Sequence, residues 1–318
     1  MVNYIIRRIL FLIPTFIILT FLIFVFVRLT PGSVIDMMVA QAPYENAAHA
    51  TPEIIRHKLG LDQPILTQYW DWLSHFVRGN MGQSLWTEKD VTQEVLIRVP
   101  ITFELGAIAF IIAQLIAFPV GILSAVRQDS TLDYLTRGTT LVFVAIPVFW
   151  LGIMVVVFPS VWWGWSPPIQ YIRFTQDPAA NLGQFIIPAL ILGISMAVIE
   201  MRMLRTTVLD VLRQDYVRTA WAKGLKERNV ITGHVLRNAF IPVITIIAGQ
   251  IPVMIGGSVI IEQIFSLPGM GRLFVESVFR RDYPYITSMS ALFGLIGLVI
   301  ILLTDLSYAW LDPRIRYR

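Results

Sequence analysis

Six long stretches of this chain contain no Asp, Glu, Lys or Arg. A helix needs roughly 20 apolar residues to cross the hydrocarbon core of a bilayer, and each stretch is long enough to do so. Only 14% of all residues are charged, which is unusual for a soluble domain. The sequence therefore predicts an all-α integral membrane protein with six transmembrane helices. The six stretches are residues 9–27, 105–126, 138–172, 178–199, 238–261 and 283–304.

The third stretch is longer than one span requires. Its end contains Trp162 and Trp163, followed by Pro167 and Pro168. Such a sequence is typical of an aromatic belt and a turn at the membrane surface. We therefore expect the third span to end near Phe158.

The distribution of basic residues predicts the orientation of the chain. If the N-terminus is cytoplasmic, most of the 25 Lys and Arg residues fall in the inside segments, as expected for cytoplasmic loops. Both termini are therefore predicted to be cytoplasmic. The first stretch follows Arg7 and Arg8, as in a signal peptide, but no small-residue cleavage site follows it. We expect a retained span, with a cleaved signal as the alternative.

The polar residues suggest a division of the chain into segments. Residues 1–29 form the N-terminal transmembrane helix, and residues 30–100 form an extracytoplasmic segment. Within that segment, a hydroxyl, a proline and an acid open a predicted helix at 51–60, and a glycine closes it. A second short helix is predicted at 65–77, with aromatic anchors Tyr69, Trp70 and Trp72. Residues 101–308 form a five-helix core with a cytoplasmic loop at 200–237, and residues 309–318 form a cytoplasmic tail.

Several kinds of chemistry are excluded by the residues that are missing. The chain has no cysteine, which excludes a disulfide framework, a thiol nucleophile and a cysteine-ligated metal. No lysine follows a glycine, so a phosphate-binding P-loop is excluded, and HExxH, GxSxG and GxGxxG patterns are absent. We therefore expect no catalytic residue and no metal site. Four acidic residues near the ends of the stretches are expected to be interfacial residues or helix caps, with ion ligands as the alternative: Glu104, Glu200, Glu262 and Asp305.

The fifth stretch combines prolines with glycines and is therefore expected to be kinked. The kinks can serve packing alone, or they can shape a gated passage. On the second interpretation, polar or flexible residues of the second and fifth stretches are the candidates for lining a translocation path. These candidates are Gln114, Gln250, Met254, Gly257 and Ser258.

The loop at residues 200–237 has the pattern of a helix, a turn and a helix. Asp210 can cap the first helix, and a lysine followed by Gly224 can end it. A second helix is expected from about Asn229 into the fifth span. The first helix is amphipathic, because apolar residues recur every fourth position, at Leu212, Tyr216 and Ala220, flanked by Val217 and Trp221. Such a helix can contact a partner below the membrane, or it can lie on the lipid surface.

Residues 215–225 (DYVRTAWAKGL) and 234–243 (HVLRNAFIPV) resemble the EAA-type loop of ABC importer permeases. The resemblance is greatest to the B-type permease of dipeptide and oligopeptide importers. The alanine-to-glycine spacing of the family is kept in Ala220 and Gly224, whereas Trp221 stands where many relatives have arginine. Further matching stretches lie at residues 4–8, 28–32, 59–64, 68–70, 79–84, 262–271, 281–284 and 311–314.

The resemblance implies the type I ABC importer permease architecture and a non-catalytic role. It implies as partners a second homologous permease, two ABC ATPase subunits that bind ATP and Mg, an extracytoplasmic solute-binding protein, and membrane lipid, but no nucleic acid and no cofactor on this chain. The location implied is the cytoplasmic (inner) membrane of a bacterium or archaeon. The residues implied to couple to the ATPase are Asp215, Tyr216, Val217, Arg218, Thr219, Ala220, Trp221, Lys223 and Gly224.

Short peptides are the cargo that the resemblance favours. Within the same family, the alternatives are nickel chelates, glutathione and oligosaccharides. A remote alternative from another class is a channel or scaffold that works without an ATPase.

Overall fold

The computed structural model describes residues 2–30, 57 and 60–311. Within these ranges the regular structure is helical, apart from an isolated bridge between Gln83 and Asp90. A π-helical turn, Ile231–Val235, joins two of the helices. In chain order the helices are α1 (Val2–Leu29), α2 (Ile65–Val77), α3 (Val91–Val126), α4 (Thr131–Ala145), α5 (Val148–Trp163), α6 (Pro178–Leu212), α7 (Asp215–Ala222), α8 (Glu227–Val230), α9 (Leu236–Ile264), α10 (Met270–Arg280) and α11 (Tyr283–Leu311).

The predicted membrane helices are present. Five helices contain a segment long and apolar enough to cross a bilayer, and the bent pair α4–α5 passes the same test as a sixth. The helices extend past the charge-free stretches: α3 begins at Val91, and α6 continues to Leu212. This extension is expected, because a helix does not have to end where the hydrocarbon core ends.

The third stretch differs from the prediction of one span ending near Phe158. It is divided between α4 and α5, which meet at an angle of 91°. Pro147 causes the break, because its ring disfavours the helical conformation of the preceding residue, and Ile146 is extended with φ −88° and ψ 118°. The second helix then runs past Phe158 to Trp163 and ends at Gly164, which has φ +65°.

The chain divides into two compact units. The larger comprises Met1–Ile5, Pro100–Arg272 and Val299–Arg318. Its centre is α6, which packs most extensively on α9 and also on α4 and α5. Phe185 and Leu192 of α6 join Leu105 and Ile261 in one buried apolar cluster. Close packing of α6 on α3 requires a small residue, since a Cβ at Gly193 would lie 2.7 Å from the carbonyl oxygen of Ala109.

The smaller unit comprises Ile6–Val99 and Leu273–Leu298. Helix α2 has the predicted bounds, and its Tyr69 is buried with its ring edge-on to those of Phe21 and Phe24. The Tyr69 hydroxyl lies 2.9 Å from Thr20 Oγ1 and donates to the carbonyl of Ile17. These contacts hold α2 against α1. The predicted helix at 51–60 falls on residues that the structure does not describe, apart from 57 and 60.

A polar contact in the smaller unit joins a turn after α2 to the start of α11. Asp282 accepts hydrogen bonds from Ser84 Oγ at 2.6 Å and from the Leu85 amide at 3.2 Å. The Trp72 indole donates to Ser288 Oγ at 3.3 Å. Burial raises the pKa of the Asp282 carboxyl above its ordinary value, and the bonds from Ser84 and Leu85 oppose that effect.

Candidate functional site

The loop between α6 and α9 forms the short amphipathic helix α7, as predicted. Its start differs from the prediction, because Asp210 lies inside α6 and the residue before α7 is Gln214, whose side chain makes no capping bond. Val217 and Ala220 of α7 are buried among the valines of the segment that follows, Val230 and Val235. The same cluster includes Leu204 and Val208 of α6, so α7 is a separate helix whose buried face packs on its own loop and on α6.

A glycine ends α7 with the backbone conformation that the sequence indicated. Gly224 has φ +74°, and its amide donates to the carbonyl of Trp221 at 2.9 Å. A Cβ at this position would meet no atom of the chain within 4 Å. The turn thus requires glycine for its backbone angle, and the space beside the glycine is open.

The outer face of α7 combines aromatic rings with cations. Tyr216 is 44% exposed and Trp221 is 41% exposed, next to the exposed side chains of Arg218 and Lys223. Arg218 lies 3.6 Å from Asp215, but both side chains are mostly in solvent, so this pair contributes little stability. Exposed aromatic and basic groups together are typical of a surface that contacts another protein.

The start of α9 is hydrogen-bonded to α7. The Asn238 side-chain amide donates to the Tyr216 hydroxyl at 3.0 Å and to the carbonyl of His234 at 3.0 Å. The helix that leads into α9 starts at Glu227, two residues before the predicted Asn229, and passes through the π-helical turn. Helix α7 is therefore joined to the start of α9 by a side-chain hydrogen bond.

Two of the predicted path residues meet at a buried carboxylate. The amide nitrogens of Gln114 and Gln250 donate to the two oxygens of Glu200, each at 2.9 Å. Gln250 also donates to the carbonyl of Met196. Glu200 is fully buried, and α6 continues to Leu212, so the expectation that Glu200 is an interfacial residue or a cap is wrong.

The two glutamines are the sequence feature that could have predicted this cluster. A polar side chain within an apolar stretch needs a polar partner, and Gln114 and Gln250 stand in different stretches. Glu200 follows directly after its own charge-free stretch, at the position where an interfacial residue is expected. Only the contact between α3, α6 and α9 identifies it as the common partner.

The other path candidates pack between helices. A Cβ at Gly106 would lie 2.7 Å from the Met254 methyl group, and one at Gly257 would lie 3.3 Å from Leu192. Ser258 is buried and donates to the carbonyl of Ile255 in its own helix. Their role in lining a passage stays a prediction.

A second buried carboxylate, Glu262, lies near the end of α9. It accepts a hydrogen bond from Thr102 Oγ1 at 2.7 Å and one from the Arg272 amide at 3.0 Å, and the Met270 amide donates to Thr102 Oγ1 at 2.8 Å. A Cβ at Gly269 would collide with this carboxylate. The expectation of an interfacial residue or cap is wrong for Glu262 too, because it is fully buried.

A buried ion pair connects α4 with α6, and sequence reasoning missed it. The guanidinium of Arg205 donates to both oxygens of Asp133, at 2.7 and 2.8 Å. Ser124 Oγ and the Asp129 amide also donate to the Asp133 carboxylate, which is fully buried. Neither residue carries a motif, so the sequence offered no signal for the pair. It fixes α6 shortly before α7 begins.

No group of three or more His, Asp or Glu side chains in the described part of the chain is placed to hold a metal ion.

Comparison with known proteins agrees with this geometry. Residues 117–317 match the family described as binding-protein-dependent transport system inner membrane component, and residues 1–106 match the N-terminal region of such membrane components. A solved structure of the MetNI methionine ABC transporter, in an inward-facing conformation, has the same fold with a TM-score of 0.56. It is 16% identical and covers 69% of this chain and 96% of that chain.

Several curated relatives match the chain along its whole length. The oligopeptide transport system permease protein AppB of Bacillus subtilis is 39% identical, with 100% of both chains covered. The glutathione transport system permease protein GsiC of Pectobacterium atrosepticum is 38% identical, and the di/tripeptide transport system permease protein DppB of Pseudomonas aeruginosa is 34% identical, again with 100% of both chains covered. The chain belongs to the binding-protein-dependent transport system inner membrane components and is a multi-pass permease subunit of an ABC importer.

Proposed function

We propose that this permease carries short peptides across the cytoplasmic (inner) membrane, as one of two homologous permeases that together form the translocation path. Two ATPase subunits would bind ATP and Mg on the cytoplasmic side, and an extracytoplasmic binding protein would deliver the peptide. The cargo is supported by the relatives, which are named for oligopeptides, di/tripeptides and glutathione, itself a modified tripeptide.

The observation that carries the coupling mechanism is the placement of α7. Its buried face is held by Val217 and Ala220, while its aromatic and basic face is open. It is attached to α6 through the chain and to α9 through the bond between Tyr216 and Asn238. A docked ATPase would move α7, and with it two long membrane helices.

The free-energy requirement on this mechanism is simple. ATP must bind one arrangement of the complex more tightly than the other, because a ligand shifts a conformational equilibrium only by its difference in affinity. In this proposal, the coupling residues 215–221, 223 and 224 transmit that difference. Arg218 and Lys223 would pair with acidic groups of the ATPase, and Gly224 would allow its surface to approach closely.

The Glu200 cluster would lie on the same route. Gln114, Gln250 and Glu200 join α3, α9 and α6 by hydrogen bonds within an apolar interior. A movement of α9 against α6 would have to stretch or exchange these bonds. This makes Gln114 and Gln250 candidates for the gate of the path, together with Met254, Gly257 and Ser258.

Substitutions at Gly224 test the coupling role. The importer, purified with its partner subunits and placed in proteoliposomes, is assayed for ATP-dependent uptake of a labelled tripeptide. Gly224→Asp is expected to abolish uptake and transport-coupled ATP hydrolysis, because it places a charge without a partner in a docking groove. Gly224→Asn introduces a side chain of the same size as aspartate but without its charge, and asparagine also tolerates the positive φ. Gly233→Ala is the control, since a Cβ at Gly233 also meets nothing within 4 Å.

The outcomes separate three interpretations. If Gly224→Asp loses uptake while Gly233→Ala retains it and both proteins stay in the membrane, the coupling role of α7 stands. If Gly224→Asp transports normally, the coupling role is wrong. If the importer takes up glutathione but not unmodified peptides, glutathione replaces short peptides as the cargo of this permease. ATP-independent flux would support a channel.

A further inference from the structure

The smaller unit contains a cavity that none of the proposed coupling or path residues lines. Its volume is about 570 Å³, within the range of small-molecule binding pockets. It is bordered by the end of α1, by α2, by the turn at 80–82 and by the start of α11. The polar side chains that line it include Arg28, Gln68, Asp71, His75 and Asn80.

Arg28 is the central feature of this cavity. Its guanidinium carbon lies 4.9 Å from the centroid of the Phe24 ring and 4.9 Å from that of Tyr283. Its Nε is buried without a hydrogen-bond partner, and no acceptor among the described residues takes a bond from the side chain. Two aromatic rings thus hold a guanidinium in place without satisfying its N–H donors.

A buried donor without an acceptor is costly, and a guanidinium matches a carboxylate in a planar, two-bond geometry. The other lining groups complement the remainder of a peptide. Gln68 donates to the carbonyl of Gln63, while its Oε1 is buried and lacks a donor. The Asp71 carboxylate is mostly exposed and lies 3.7 Å from His75. The cavity therefore offers hydrogen-bond donors at the Arg28 guanidinium and acceptors at Gln68 and Asp71.

We propose that this cavity binds the free carboxylate end of a short peptide, with the guanidinium of Arg28 pairing with the carboxylate and Gln68 and Asp71 accepting bonds from peptide N–H or ammonium groups. On the predicted topology it lies on the extracytoplasmic side, where it would hold cargo before transfer. The assignment rests on the proposed peptide cargo and adds a recognition site to it.

Binding to the full chain in lipid nanodiscs tests the site. The probes are trialanine, its C-terminal amide and its N-acetyl derivative. The amide is expected to bind at least about tenfold more weakly than the free acid, since it lacks the charge-assisted pair. Equal binding of acid and amide would overturn the proposal, and this comparison needs no variant protein.

Variants connect the carboxylate to Arg28. Arg28→Gln is expected to lower the affinity for trialanine to that for the amide, with no further loss when the amide is tested on the variant. Arg28→Lys keeps the charge but loses the fork, so an intermediate affinity is expected. Arg78→Gln is the matched control, because Arg78 is exposed after α2 and does not line the cavity. Unchanged affinity of Arg28→Gln would overturn the assignment.

Transport measurements distinguish failure of the cavity assignment from failure of the proposed peptide cargo. If the complete importer takes up tripeptide and the half-saturating concentration is the same in wild type and Arg28→Gln, the cavity assignment falls while the cargo stands. If the importer takes up no peptide, propionate serves as a probe without peptide groups. Binding of propionate that depends on Arg28 supports the carboxylate site alone, and binding that is independent of Arg28 overturns it.

Discussion

Replacing Arg205 by leucine is expected to destabilise the larger unit by about 3–5 kcal/mol, the usual cost of leaving a buried charge without its partner. Asp133 is fully buried and receives two bonds from Arg205, at 2.7 and 2.8 Å. Each bond to a charged group contributes about 1.5–3 kcal/mol. Ser124 and the Asp129 amide would remain as donors, so the loss stays within this range.

A second arginine provides a matched control on the same carboxylate. Arg137 Nε lies 3.9 Å from Asp133 Oδ2, and its side chain is 42% exposed. The Arg137 guanidinium is at the outer limit of ion-pair distance and is partly in solvent, which screens the pair, so Arg137→Leu should cost no more than about 1 kcal/mol. The double variant Asp133→Leu with Arg205→Leu should recover much of the lost stability, because an apolar pair leaves no buried charge.

Unfolding of the purified protein in detergent, followed by tryptophan fluorescence over a denaturant series, measures these differences. The free energy of unfolding is expected to be highest for the wild type and to decrease through Arg137→Leu and the double variant to Arg205→Leu, the least stable protein. If Arg205→Leu and Arg137→Leu lose the same stability, or if the double variant is the least stable protein, the reasoning from burial and pairing is refuted.

Two further predictions follow from close packing and from titration. Gly193→Ala should destabilise the protein by about 1–3 kcal/mol because its Cβ would press on Ala109, whereas Gly183→Ala, with open space, should not, as thermal unfolding would reveal. Burial raises the folded-state pKa of Asp282, so its contribution to stability is complete below the ordinary aspartate pKa and is lost as pH rises through the folded pKa. Asp282→Asn should remove this decrease of the unfolding free energy with pH; an identical pH profile in the variant would contradict the assignment.

The sequence was sufficient for the features that depend on local composition. The six apolar stretches predicted the membrane helices, apolar residues at every fourth position predicted α7, and a lysine followed by glycine predicted the left-handed turn at Gly224. The aromatic-rich segment predicted α2 with the correct bounds. Each of these rests on the transfer free energy or backbone preference of residues that are neighbours in sequence.

The sequence was not sufficient where polar groups find partners far along the chain. Glu200 bonds to Gln114, 86 residues away, and Asp133 bonds to Arg205, 72 residues away. Charge counting placed Glu200 at a membrane surface because its stretch ended there. The bend at Pro147 was also missed, since prolines inside membrane helices are often accommodated as mild kinks.

The sequence by itself determined that this chain is a bundle of membrane helices with a short amphipathic helix between the fourth and fifth spans. Only the tertiary structure decided which polar side chains are buried together and which are left without partners, as in the cavity around Arg28. The physical reason is that the hydrophobic contribution of a residue depends mainly on its own type. The energy of a buried charge depends on the groups that folding brings to it.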